Sequence, residues 1–293
     1  MTDSEEKFTA EPIQRAPRRL DRESFNRIKH LHAKQKWLEK KQDEFWALDE
    51  LCKDLDEQNL IVNLLYNFCY LTSEEYEKCL KKMAHHILNE WGFESHDTQI
   101  IACDHSDEAD SSKKVLQDLK SYLNDAGDGW DEINFRTNME AAAERINEFP
   151  NVVLVDEFMG TGDTLVTRLS WFNAKMAEDG KSPVIRVCVV ASMEAVKTKI
   201  SDGLKLEDYF SSKWLKKGIS DYYQGEELEK AKQLMTRLES ELQHGYYTFG
   251  YKQSEALYSM EAGNTPDNVF PIFYWKELKN GQKRLTLLRR LGT

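Results

Sequence analysis

The segment VVLVDEFMGTGDTL, Val152 to Leu165, sets two adjacent carboxylates, Asp156 and Glu157, at the end of an apolar run. A turn holding Gly160, Thr161, Gly162, Asp163 and Thr164 comes next. Glycines there let backbone N–H groups turn toward one point, and a helix starting behind them adds partial positive charge. Such a turn is an anion cradle. The alternative reading of the same residues is an ordinary strand, turn and helix in which Thr161 or Asp163 caps the helix. This segment holds no Gly-Lys-Ser/Thr and no G-x-G-x-x-G, so the turn is neither a triphosphate P-loop nor the dinucleotide fingerprint.

The flanking elements must hold this turn in place. NVVLV (151–155), bounded by Pro150, reads as a strand buried on both faces, PVIRVCVVAS (183–192) as a second buried strand, and TQIIAC (98–103) as a short apolar strand. Helices are predicted over Thr164–Met176, Lys114–Leu123, up to about Glu148, and Gly225–Gln243, with a further strand at Glu132–Phe135. Strands alternating with helices of these lengths predict an α/β fold: a parallel sheet of about five strands flanked by helices. Ahead of it, Leu20–Trp91 shows helical spacing without Gly or Pro, and Thr72 with Glu75 forms a capping box. The expected organisation is an N-terminal arm and helical region over 1–92 and an α/β domain over 93–293. Its last stretch, from about 244, covers the site as a hood.

The order of four apolar residues, Asp-Glu, three variable residues, Thr-Gly, one residue and Thr resembles the phosphoribosyl-pyrophosphate motif of the type I phosphoribosyltransferases. That resemblance implies that Asp156 and Glu157 bind the ribose 2′- and 3′-hydroxyls, a task suited to pure acceptors. It gives the 5′-phosphate to Gly160, Thr161, Gly162, Asp163 and Thr164, and implies Mg²⁺ where the substrate carries a diphosphate. A second loop, after the first sheet strand, usually holds the pyrophosphate. Here that place is DHSDEADSSKK (104–114), whose four carboxylates would repel a dianion unless Mg²⁺ intervened or the loop swung away. Ser111, Ser112 and Lys113 could bind a phosphate at the next helix start or simply cap it.

Residues 250–275 contain Gly250-Tyr251, Ala256-Leu257, Asn264-Thr265-Pro266, Asn268, Pro271 and Trp275. As residues they read as a strand, a polar turn exposing the Asn264 and Asn268 amides, and a strand. As a set they resemble a signature of the divergent PRTase-CE branch of bacterial conflict systems, with the tryptophan displaced by one position. The resemblance implies a phosphoribosyltransferase-like enzyme that transfers or releases a ribose-phosphate group at the anomeric carbon. It also implies a toxic effector of a retron-type antiphage defence system. The alternatives are a non-catalytic ribose-phosphate or nucleotide sensor and a structural partner in a defence complex.

The chain of 293 residues carries a formal charge of −11, against clamping of a long nucleic acid along the whole surface. Two basic runs stand out against that average, residues 15–41 and 276–290: solvated faces, or docking surfaces for a partner protein or nucleic acid. No apolar run approaches the ~18 residues of a membrane span, and MTDSEEKF is no secretory leader, so a cytoplasmic location is expected. The five cysteines and seven histidines show no ligand spacing for a structural metal, and no G-x-S-x-G occurs. Tyr246, Tyr247 and Phe249 read as core or as a base-stacking surface.

Overall fold

The computed structural model of the protein describes residues 22–104, 110–200 and 208–291. Its element order is α1 (Arg22–Lys34), α2 (Gln42–Asp49), α3 (Leu55–Tyr66), β1 (Cys69–Leu71), α4 (Ser73–His85), β2 (Thr98–Ala102), α5 (Ser111–Ala126), β3 (Phe135–Arg136), α6 (Met139–Glu144), β4 (Asn151–Met159), α7 (Asp163–Glu178), β5 (Val184–Met193), α8 (Val196–Ile200), β6 (Tyr209–Leu215), α9 (Gly225–Glu239) and β7 (Tyr258–Met260). Among the described residues β2 to β6 form one five-stranded sheet in the order β3-β2-β4-β5-β6, every neighbouring pair parallel. The fold is α/β with helices on both faces of a parallel sheet.

The apolar run at 152–155 takes the central position, and its four residues are fully buried, as two covered faces require. One face packs under α4 and α5 through Val115, Leu119 and Met83. The other packs under α6 and α7 through Met139, Leu165 and Phe172, in a core that continues into α1 to α3 and the carboxyl-terminal segment. Each fully buried Leu or Phe there is worth roughly 1.5–3 kcal/mol relative to exposure. The apolar core therefore runs continuously across residue 92, and α4 lies directly on the sheet.

Three local expectations are corrected. The helical reading of 20–91 is broken by β1, which pairs in parallel with β7, Cys69 opposite Tyr258 and Leu71 opposite Met260. Its β-branch-poor sequence CYL gave no period to read, and the partner strand lies nearly 190 residues on. The strand foreseen at 132–135 is a 3₁₀ turn capped by Asp131, with only Phe135–Arg136 in the sheet. The strand pictured after the Asn264–Asn268 turn is a 3₁₀ turn, Pro271–Phe273, because proline at its start fixes φ and removes a ladder donor. The capping box at Thr72 and Glu75 is formed.

β2 connects outward to β3, whereas β4 lies on the other side of β2. The chain thus reverses its winding between β2 and β4. In open α/β sheets, ligands bind beyond the carboxyl ends of the strands at such a reversal. The chain leaves the sheet there at Asp104, after β2, and at Gly160, after β4.

Candidate functional site

A cleft of about 770 Å³ opens at that switch point. Strand β4 runs on through the acidic pair to Met159 instead of ending at it, so its alternation sends Asp156 and Glu157 to opposite faces. Both still line the cleft, with Gly160, Thr161, Gly162 and Thr164 beside them. The N–H groups of the first turn of α7 have no helical carbonyl to bond. Gly162 adopts φ of +76° as the residue before that helix, a conformation that glycine reaches without strain.

Burial, reinforced by the neighbouring Asp110, pushes the Asp156 carboxyl up to about 8 against the opposing pull of the Glu157 N–H and Arg168. The Glu157 N–H donates to Asp156 Oδ1 at 2.7 Å. Glu157 itself is buried, and burial pushes its carboxyl up to about 7. The Tyr258 hydroxyl and Lys114 work in the other direction. Tyr258 donates to Glu157 Oε1 at 3.3 Å, and its ring stacks on Phe158 with centroids 4.5 Å apart.

Asp163 has a different part from the rest of its loop. Its carboxylate accepts from Thr161 Oγ1 at 2.7 Å, pairs with Lys252 at 2.9 Å, and pairs with Lys199. The two ammonium groups, Lys199 foremost, and the threonine hydroxyl hold it well below the usual carboxylate range. It braces the turn instead of lining the cleft.

The opposite wall comes from the start of α5 and from the hood. Ser111 lines the cleft, but Ser112 is fully buried and Lys113 is turned to Asp104, 3.2 Å away. Lys114 faces the cleft in its place. Of the four carboxylates in the 104–114 segment, Asp107 and Glu108 lie outside the described residues. Asp104 is buried between Lys113 and Arg168, and Asp110 accepts from the Ser112 N–H at 2.8 Å. Two of the charges expected to repel a dianion are thus already engaged. From the hood, Asn264 and Asn268 both line the cleft. Asn264 Oδ1 accepts from the Leu291 N–H, and the Asn268 amide donates to Ser254 Oγ at 3.2 Å. Asn264 is thus exposed as foreseen, whereas Asn268 is half-buried and tied to Ser254. A Cβ on Gly160 would stand 2.2 Å from the Asn268 amide carbon, so the absence of a side chain at 160 lets the hood close on the loop.

The cleft also contains residues for which the sequence reading had no place: Arg168, Tyr251 and Asp267. Arg168 was within reach of that reading, since it follows Thr164 by four residues and so shares its helix face. Lys199 arrives from a segment that carries no motif, and Tyr251 and Lys252 come from the Gly250–Leu257 stretch, whose resemblance gave neither a role at the site. Tyr246 packs against the core and Phe249 is buried, whereas Tyr247 is exposed and meets Tyr251 edge to face. Among the described residues no cluster of three His, Cys, Asp or Glu side chains is set to hold a metal.

Of the similar solved structures, the HGPRT-ase from Leishmania tarentolae in complex with GMP is 15% identical, with 50% of this chain and 80% of that chain covered, at a TM-score of 0.34. A hypothetical protein from Neisseria gonorrhoeae with bound ppGpp is 13% identical over 57% and 96% of the two chains, also at 0.34. Hypoxanthine-guanine phosphoribosyltransferase from Schistosoma mansoni in complex with IMP is 12% identical over 49% and 67%, at 0.34. Likeness at this level carries no conclusion about what this chain binds. No curated protein sequence matches it. The PRTase-CE family matches residues 35–290, nearly the whole chain, helical region and hood included. The chain belongs to the PRTase-CE family.

Proposed function

We propose that this protein binds a ribose 5-phosphate group in the cleft and transfers or releases it at the anomeric carbon. The observation that carries the reading is the meeting of Asp156 and Glu157 with the 160–164 turn at the switch point of the sheet. The carboxylates accept from the ribose hydroxyls, and the turn with the α7 amino terminus holds the phosphate. Reaction at an anomeric carbon passes through an oxocarbenium-like centre, which needs positioning and negative charge more than a nucleophile. Asp156 and Glu157 supply that charge once ionised.

Asp110 and Asp156 both line the cleft, and Asp110 raises the cost of ionising Asp156; as oxygen donors the two suit a hard cation. Such a Mg²⁺ would enter with a diphosphate and offset their charge. Ser111 and Lys114 stand where a second phosphate would lie. Family membership supports the further reading of a toxic effector in bacterial antiphage defence, with an unidentified partner protein or nucleic acid. Expression in a bacterial host should then arrest growth, and Asp156→Asn with Glu157→Gln should relieve it.

A sensor that binds without turnover is the second reading, favoured by the raised pKa values of both carboxylates, which leave them partly protonated at neutral pH. The experiment is incubation with phosphoribosyl pyrophosphate and Mg²⁺, following pyrophosphate and ribose 5-phosphate. Release by the wild type and none by the double variant supports the enzyme. Binding with no product from any tested acceptor supports the sensor.

A further inference from the structure

Behind the hood lies a second cavity, of about 320 Å³, that the ribose-phosphate reading does not use. Lys36, Lys40 and Lys41 enter it from the first basic run, and Arg289 enters from the second, some 250 residues away. The fold thus brings one end of each basic stretch of a net acidic chain to one concavity. Glu261 is the carboxylate on its wall, and it is engaged: it accepts from the Ser73 N–H at 3.1 Å and lies 3.7 Å from Lys40. Lys41 pairs with Glu44 at 2.8 Å, whereas Lys36 and Arg289 make no ion pair among the described residues. Two cations left without a carboxylate partner beside two paired ones leave a net positive cavity, which an anion would complete.

The other wall is aromatic. Trp37 and Tyr70 stack with centroids 4.3 Å apart and planes 11° from parallel, and Trp37 is fixed by its indole N–H donating to Gln35 Oε1 at 2.9 Å. A fixed aromatic pair lining the cavity beside lysines and an arginine suits a base carrying a phosphate better than an acidic peptide, which has no use for the rings. The volume lies at the small end for ligand sites, the size of one nucleotide. From these features we infer that the cavity between the Lys36–Lys41 segment and Arg289 is a second binding site, for a nucleoside phosphate, either free or as the phosphorylated end of a nucleic acid strand. Met260 and Gly263 line both this cavity and the main cleft, so the two sites share a wall. The inference stands independently of what the main cleft binds.

The test is equilibrium binding to the full chain of AMP, of a 5′-phosphorylated oligoadenylate, and of poly-glutamate, with photo-crosslinking by 8-azido-AMP to locate the site. Wild type should bind AMP or the oligonucleotide, with label on a peptide containing Tyr70 or Arg289. Lys36→Glu with Arg289→Glu should weaken that binding at least tenfold and remove the label. Both side chains are exposed, so thermal melting of the variant should match wild type and show that it folds. The Asp156→Asn, Glu157→Gln variant should keep the label, which separates this site from the main cleft. Binding of the oligonucleotide without AMP would assign the ligand to a strand end. Unchanged affinity in the charge-reversed variant, label confined to the main cleft, or equal binding of poly-glutamate would overturn the inference.

Discussion

The Tyr258 hydroxyl donates to Glu157 across 101 positions of sequence and joins the short hood strand to the acidic pair of the central strand. Because β7 is itself paired with β1, the same contact links the amino-terminal helices to the chemistry. Tyr258→Phe keeps the stack on Phe158 and removes a donor that favours the ionised carboxylate. The Glu157 titration should move upward from about 7, and stability should fall by about 1 kcal/mol. Carboxylate-resolved NMR titration against wild type measures the first and urea unfolding the second. An unmoved Glu157 titration would show the contact to be idle.

Gly160 and Asn268 form the second contact between hood and loop. Gly160→Ala drives a methyl into the Asn268 amide, and Asn268 is held by Ser254, so the hood should lift from the loop. Ribose-phosphate affinity is expected to drop about tenfold, or ~1.4 kcal/mol. Gly160→Ala combined with Asn268→Ala should restore part of it. Calorimetry on the three variants decides, and no recovery in the double variant would place the damage in the loop itself.

The acidic pair makes stability depend on pH in a stated direction. Asp156 and Glu157 have folded-state values of about 8 and 7, above the ordinary 3.8 and 4.5. Between those limits the folded protein binds more protons than the unfolded chain, so stability falls as pH rises. Their contribution is fully present below about pH 4 and is lost as pH passes 7 and 8. Glu239, pushed up to about 8 by burial, acts with the same sign, so wild type must be compared with the Asp156→Asn, Glu157→Gln variant. The melting temperature of wild type should fall more steeply from pH 5 to pH 8.5 than that of the variant. Parallel curves would contradict the linkage.

Asp163 is predicted to act through its two lysines. Asp163→Asn should cost about 1 kcal/mol or less in stability, since the paired ammonium groups are substantially exposed. The loss of ribose-phosphate affinity should be the larger effect, because Thr161 and the turn lose their brace. Raising salt should weaken wild-type binding and affect the variant less. Urea midpoints and titrations at two ionic strengths check both points.

What could be read from the sequence follows physical range. The 151–165 segment was legible because a doubly buried strand, two carboxylates and a glycine turn are local features. The parallel sheet followed from alternating periods, although β6 was not read, its sequence YFSSKWL mixing polar and apolar residues without a clean pattern. β1 and its pairing with β7 were invisible, since three residues carry no periodicity and the partner is remote. The reading of Ser111, Ser112 and Lys113 as one unit missed that successive helical residues point 100° apart, which buries Ser112 and gives the cleft Lys114 instead. Tyr258 and Lys252 reach the site only through the folded hood, and Lys199 only through α8, and no spacing announces them.

The central claim is that Asp156, Glu157 and the 160–164 turn hold a ribose phosphate. Calorimetric titration with phosphoribosyl pyrophosphate, with and without Mg²⁺, on wild type and on Asp156→Asn with Glu157→Gln tests it most directly. Saturable binding by the wild type, abolished in a double variant that melts normally, is the predicted result. Equal binding by the two proteins would contradict the account.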